Sequence, residues 1–342
     1  VSRDQPTVAL RRLDELDRSA IDQWSRRRDS DRTLTSPFYD PAFTQAIAAA
    51  GGDHPVRVIV VGDDVFWPMA IDDDGSSGPV GGSLNDHQGL IGSLPPDVSA
   101  ADVLREAGVH GHRFDHLPVT QTSVLARARW HPTSGSPFLD LRHGFEAYTA
   151  ELATRRSSLA KALGNARRRL ARDLGPITFT WDDRSAAAYD ALVTWKSAQY
   201  RATGVPDLFA GGWTSAAIDR LRWVDAAGCT AVLSSLRAGD HLVSVHLGLR
   251  SATELDWWLP AYDADVAGPY SVGLQLLWSA AEQAEAHGID RIDLGKGDED
   301  YKRRVATGTV ELATGVVEPM SWRVAVRRAR TAAGRATRRR SG

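Results

Sequence analysis

The sequence predicts a mixed α/β fold, with mixed sheets, built as two domains in tandem. Three observations carry that expectation. Helical and alternating apolar patterns interleave along the chain. An order of strand, Gly-Asp turn, strand, helix, strand occurs in both halves, around Gly62-Asp63 and Gly239-Asp240. Residues 254–294 read as strand, loop, helix, strand, and a helix crossing between two strands sets them parallel. A length of 342 residues suits two domains. A composition of 42% hydrophobic and 25% charged residues is that of a globular chain with a sizeable core.

In the first half, "LDELDRSAIDQWSRRR" has Leu13, Leu16, Ile21 and Trp24 near helical spacing. "SPFYDPAFTQAIAAAGG" gives a Ser36 cap and an alanine-rich helix that stops at Gly51-Gly52. "VRVIVVGDDVFWPMAI" reads as a hairpin. A glycine-rich loop over 72–82, the helix "SAADVLREAG" and the strand "HRFDHLPV" follow. The turn-rich "HPTSGSP" marks the boundary, so the domains are expected at 1–140 and 141–322, with a basic tail over 323–342. A helical pattern restarts at Phe145. Between Arg155 and Arg172 stand seven basic residues and no acid, either a solvated face or a face for an anionic substrate. Then come strand "ITFTW", a helix ended by Gly204, a further helix from Trp213, and three strands in series.

The N-terminal stretch is charged throughout, so no signal peptide is read there. Nowhere do 18 uncharged apolar residues run together. The expectation is a cytoplasmic protein. The single Cys229 excludes an intrachain disulfide and a cysteine zinc site, and in "CTAVLSSL" it reads as core. The formal charge is -2, but the tail from Arg323 carries eight arginines and no acid. The body then holds 33 basic against 43 acidic residues. The tail is either a solvated end or a contact with acidic membrane at the inner face, glycan or nucleic acid. DNA binding is not expected. His87, Asp115 and His116 bring metal-ligating types together, but nothing in their spacing sets a coordination geometry, and no metal is expected.

Residues 255–304 carry the chemistry. "LDWWLPAYD" alternates its faces, and Pro260 cannot donate a ladder hydrogen bond, so the ladder is expected to break near Pro260 and the next strand to splay away. The loop "ADVAGPYSVG" places Ser271 and Gly273 at a helix N-terminus, where free N–H groups suit an anion, or where Ser271 simply caps the helix. "IDRIDLGKG" is the second strand. Its Gly295-Lys296-Gly297 is not a phosphate loop. The glycine spacing is wrong, and Asp298, Glu299 and Asp300 would repel phosphate.

"WKSAQYRATGVPDLF", "LPAYDADVAGPYSVGLQLL" and "IDRIDLGKGDEDYKRRVATG" together resemble the marker segments of the CelD-like proteins, which carry a BioF2-like acetyltransferase domain. "FYDPAFTQAI", "LNDHQGLI" and "RFDHLP" resemble that family's N-terminal half, so the likeness spans about Ser36 to Thr314. The family stands with the GNAT acyltransferases, and its tandem architecture is similar to that of the Fem aminoacyltransferases. The resemblance implies two GNAT-like domains with a cleft between them, and acyl-CoA held between a splayed strand and a helix N-terminus. Carried over, the cofactor-binding residues are Trp258, Tyr262, Tyr270, Ser271 and Gly273. "GPYSVG" departs from the glycine-rich GNAT loop, having only Gly268 and Gly273. Tyr301-Lys302 matches the aromatic-Lys pair of Fem-like enzymes, and Asn165-Ala166-Arg167-Arg168 their basic helix.

The implied activity is acyl transfer from acyl-CoA to an amine or hydroxyl of a sugar or of a cell-envelope or exopolysaccharide precursor. Such a step needs a base, an oxyanion site and a proton for the leaving thiolate. Main-chain N–H groups near 258–262 suit the oxyanion. Tyr262, Tyr270 or Tyr301 suits the thiolate, Asp263, Asp298 or His246 the base, and Lys302 an anionic group or the oxyanion. Tyr301, Lys302, Asp298 and His246 are thus the catalytic candidates. Asp263, Lys196, Gln199, His116 and Lys296 are the substrate-binding candidates. Two other classes remain: transfer from aminoacyl-tRNA, with the basic helix on RNA phosphates, and a non-catalytic partner in polysaccharide assembly.

Overall fold

A computed structural model describes residues 6–52, 54–155 and 158–319. The first elements are β1 (Val8–Arg12), α1 (Arg18–Ser30) and α2 (Pro41–Ala49). The expected hairpin is β2 (Val56–Val61) with β3 (Val65–Ile71), followed by β4 (Ser77–Gly78), α3 (Ala100–Glu106), β5 (His112–Pro118), α4 (Thr122–Leu125) and β6 (Arg129–Pro132). Then come β7 (Ser136–Asp140), α5 (Gly144–Arg155), α6 (Leu159–Leu174), β8 (Ile177–Thr180), α7 (Ala186–Thr203), α8 (Gly212–Leu221) and β9 (Asp225–Ala226). The three strands in series are β10 (Cys229–Ala238), β11 (His241–Arg250) and β12 (Glu254–Tyr262). The chain closes with α9 (Ala264–Tyr270), α10 (Val272–Gln283), β13 (Arg291–Asp293), α11 (Asp300–Val305), β14 (Gly308–Val310) and β15 (Leu312–Val317).

Two mixed sheets result. The first has the order β1-β2-β3-β4-β5-β15-β6, and the second β14-β7-β13-β12-β11-β10-β8 with β9 beside β10. The chain divides into two compact units, but not at residue 140. Of the described residues, the first takes 6–27, 54–133 and 313–319, and the second 28–52, 134–155 and 158–312. Three segments therefore move. β7 pairs with β13 and β14, so it belongs to the second sheet. β15 pairs with β6 and closes the first. Residues 28–52 pack into the second unit. The physical reason is strand pairing: β13 is three residues long and its Ile292 and Asp293 are fully buried, so it needs a partner on each side.

Residues 28–52 are held by local signals and one buried ion pair. Ser36 Oγ accepts from Phe38 N, and Asp40 caps α2 with Pro41 at its first position. The buried Arg28 guanidinium donates to Asp40 Oδ2 at 2.9 Å and to Gly228 O at 2.7 Å. A Cβ on Gly228 would stand 1.8 Å from Arg28 Nη1, so only glycine fits there. Burial raises the Asp40 carboxyl, against the α2 N–H of Ala42 and Arg28.

The second unit's core gathers Tyr148, Leu163, Leu170, Leu255, Trp257, Leu276 and Ile292 from α5, α6, α10 and the sheet. Cys229 is buried, as expected, with its thiol pushed up by burial. The first unit's core joins Ile59, Trp67, Leu104 and Phe114 to Ala313 and Val317 of β15. Among the described residues no helix is long and apolar enough to cross a membrane. The basic tail over 323–342 lies outside the described residues.

Candidate functional site

β12 and β13 run parallel, as expected, through three pairs: Glu254 with Arg291, Leu255 with Ile292, Asp256 with Asp293. There β13 ends, and β12 continues to Tyr262 along β11 alone. The splay is therefore real, but Pro260 does not cause it by breaking the ladder. Asp263 N donates to Val243 O at 3.1 Å, which fixes the alternation along this antiparallel pair. His246 opposite Pro260, and Ser244 opposite Tyr262, are then the pairs without mutual hydrogen bonds. Pro260 and Tyr262 turn their main-chain groups to the open side. The missing proline N–H costs the β11 ladder nothing.

Just before the open edge the strand bulges. Leu247 faces Leu259 while Leu249 faces Asp256, so β12 carries one residue more than β11 at Trp257-Trp258. Gly248 sits opposite, and a Cβ there would stand 2.4 Å from His246 Cε1. The freed space lets the His246 ring stack on Trp257, with centroids 3.6 Å apart and planes at 11°.

Two lysines meet this region. α7 starts on Ser185, whose hydroxyl accepts from Ala188 N, and stops on the left-handed Gly204. It carries Lys196, which is buried and donates from Nζ to Pro260 O at 3.0 Å. Burial first, and then the charge of Lys302, lower the Lys196 ammonium to about 8. Lys302 is buried too. Its Nζ donates to Gly295 O at 3.1 Å and Lys296 O at 2.9 Å, and pairs with Glu299 Oε2 at 3.0 Å. The Gly-Lys-Gly turn thus wraps an ammonium rather than a phosphate. Gly297 has φ 138°, and a Cβ on it would meet Glu299 Oε2 at 2.3 Å.

The segment after this turn is the helix α11. Tyr301 is half-buried in it. Asp298 is a correction: its carboxylate is exposed and lies 3.7 Å from Arg303 Nη1, at the surface. Lys296 contributes its carbonyl to Lys302. His246 is a second correction as a base. It is fully buried, neither ring nitrogen has a side-chain hydrogen-bond partner, and its ring is pushed down to about 3. Burial is the main cause and Lys196 adds to it, while the Asp256 backbone opposes it. This histidine is a neutral core residue. Gln199, one turn from Trp195, is exposed.

The expected cofactor loop is different in kind. Residues 264–270 are the helix α9, capped by Asp263 Oδ1 accepting from Asp265 N, with Pro269 inside it. Arg169 of α6 donates to Pro269 O at 2.8 Å, and Tyr270 Oη donates to Asp173 Oδ2 at 3.0 Å. Ser271 has φ 54° and makes no side-chain cap. Gly273 leaves room for the Tyr262 ring, which lies 3.3 Å from where a Cβ would stand. An aromatic ring against α10's first turn replaces the open glycine loop. Trp258 is buried and packs edge-on against Phe38 at 6.1 Å. The basic helix α6 also serves packing: Arg167 donates to Ser279 Oγ at 3.1 Å.

His116 belongs to the first unit. Its Nδ1 is 2.9 Å from Asp115 Oδ1 and its Nε2 3.9 Å from Asp86 Oδ1. Sequence reasoning missed the acids at the base of the splay. Glu254 pairs with Arg291, and both bond to Thr35. Asp256 accepts from Ser36 Oγ at 3.0 Å, and Asp293 from Ser136 Oγ at 2.5 Å and Gly295 N at 2.9 Å. The signal was present: three carboxylates in strands otherwise built for a core.

The chain has counterparts among known proteins. Residues 157–303 match the acetyltransferase (GNAT) domain family. No curated protein matches the chain. Among solved structures, the chain is similar to the C-terminal domain of a protein described as a lysylphosphatidylglycerol synthetase from Agrobacterium fabrum. That match has 14% identity, covers 87% of this chain and 92% of that one, and has a TM-score of 0.57. A protein of unknown function from Bacteroides thetaiotaomicron matches at 12% identity, over 87% and 97%, with a TM-score of 0.57. FemX matches at 10% identity, over 86% and 95%, with a TM-score of 0.57. At such identities the likeness is one of fold. The fold is of the GNAT acyltransferase type.

Proposed function

We propose that this protein moves an acyl group from an activated donor to an amine or hydroxyl of a sugar or a cell-envelope or exopolysaccharide precursor, as a CelD-like, BioF2-like enzyme would. The observation that carries the reading is the open edge of β12. It offers the Tyr262 N–H to an oxyanion, near a Pro260 carbonyl that holds the buried Lys196 amine. A tetrahedral intermediate gains most from donors that are fixed and desolvated before the reaction. Acyl-CoA is the donor that the GNAT match favours. A second donor, aminoacyl-tRNA, is favoured by one observation. α9 and the Tyr262 ring occupy the place where a glycine loop would cradle pyrophosphate.

The test is product mass. The protein is incubated with acetyl-CoA, longer acyl-CoAs or aminoacyl-tRNA against a panel of amino sugars. A product heavier by one acyl or aminoacyl group, formed with one donor class and lost in Lys302→Ala and Tyr301→Phe, supports the reading. No product, and no heat of binding with any donor, sinks it in favour of a non-catalytic role.

A further inference from the structure

The two buried lysines are not equivalent. Lys302 gives its ammonium to the Gly295 and Lys296 carbonyls and to the Glu299 carboxylate, an arrangement that uses all three donors. Lys196 has one hydrogen-bond acceptor, Pro260 O, and its Nζ stands 5.3 Å over the Tyr200 ring. A neutral amine satisfies that geometry. One N–H goes to the carbonyl, and the lone pair stays available at the open edge of the strand.

We propose that Lys196 is the proton acceptor of the acyl-transfer step. The inference rests on the acyltransferase reading above and names the base that it lacks, now that His246 is enclosed and Asp298 lies at the surface. As the acceptor's nitrogen or oxygen attacks, its electron pair forms the bond to the acyl carbon. Its proton passes to Lys196 Nζ. The bond from acyl carbon to thioester sulfur, or to the ribose oxygen of an aminoacyl ester, breaks, and the leaving thiolate or alkoxide takes a proton back from the Lys196 ammonium or from water.

The surroundings favour this role. A lysine is made basic near neutral pH by removing water and by setting a second cation beside it. Here burial and the Lys302 charge both lower Lys196, and only Glu299 opposes them. Tyr200 on its own helix is an uncharged ring, and His246 on β11 stays neutral.

The proposal is tested with two readouts on the full chain. Lysine-selective NMR, with Lys196 assigned by Lys196→Arg, is expected to give a midpoint near 8 rather than the ordinary 10.5. Lys302→Met should raise that midpoint, and Glu299→Gln, which leaves the Lys302 contacts to carbonyls intact, should lower it. The second readout is acyl transfer against pH. In the native protein kcat should rise as pH passes 8. Lys196→Gln should lose about 100-fold or more in kcat, with KM little changed and the rise abolished. A midpoint near 10.5, or a Lys196→Gln protein with the native pH profile, overturns the assignment while leaving acyl transfer standing. Absence of transfer with every donor, despite a midpoint near 8, overturns the functional reading and this role with it.

Discussion

The first sheet, read from β1, and the second, read from β8, follow the same plan. Three antiparallel steps lead to a fourth strand, the fourth and fifth run parallel, and a sixth is contributed from outside the sequence block that supplies the rest. They differ at the fourth strand. In the first sheet it is β4, two residues long, which meets β5 through the single pair of Ser77 and His112. In the second it is β12, nine residues long, bulged, and open on one side beyond Asp256. Among the described residues, the second sheet's parallel pair thus parts within the sheet and leaves one side of β12 without a strand partner, where Lys196 bonds to the Pro260 carbonyl. The shared plan does not set the two sheets apart; the length of one strand does.

The largest expected effect follows from the bulge. Trp257→Ala removes a buried ring that fills the core and stacks on His246, and should cost about 3–5 kcal/mol. Hydrogen exchange should show protection lost in β10 to β13 and kept in β2 and β3. Uniform loss across both sheets would break the comparison, because it would mean that the long strand is not a local feature of the second unit.

Next in size is the contrast between charges. Lys302→Met leaves the Gly295 and Lys296 carbonyls without their donor, and should lower kcat about 100-fold, with a stability loss of about 1–3 kcal/mol. His116→Ala, in the unit with the short fourth strand, should change kcat by less than about threefold. A large loss from His116→Ala would give the first unit a part in the chemistry and undo the asymmetry argued above.

Much of this organisation was legible in sequence, for physical reasons. The β2–β3 and β10–β11 hairpins and the crossover to β13 announce themselves through local turns and periodicity. Three features did not. β7 and β15 exchange blocks because pairing is a long-range property that no local pattern encodes. α9 was read as a loop because Gly268 and Pro269 are poor helix formers, yet tertiary bonds from Arg169 and to Asp173 hold it. Among the site residues, Lys302 and Lys196 stood out in the sequence, but their burial was invisible there. His246 looked accessible because its strand face carries Ser244 and Gly248. Gly248 is small because the His246 ring needs its space.

A smaller effect concerns acid. Two buried histidines, His112 in the first unit and His246 in the second, are both pushed down to about 3 by burial first. A histidine depressed in the fold contributes stability that is present above its unfolded value, near 6.5, and is lost as pH falls toward 3. Each should add about 1.4 kcal/mol of loss per pH unit in that window. His112→Gln and His246→Gln should each flatten the fall in stability measured by urea unfolding between pH 6 and pH 4. An unchanged slope would show that the histidine is not buried in solution.

The smallest effect separates the two histidines from each other. His112 Nδ1 is 2.9 Å from Ser77 Oγ, at the one pair that joins β4 to β5. His246 has no such bond and contributes a stacked ring. Replacing a hydrogen-bonded group strands its partner, whereas replacing an unbonded one removes only its own desolvation cost. At pH 7.5, His112→Phe should therefore cost about 1–2 kcal/mol in urea unfolding. His246→Phe should stay within about 1 kcal/mol of the native protein, on either side. Equal losses would mean that His246 does find a partner in solution, such as a water between it and Ser234, which faces it across β10 and β11 and is equally buried.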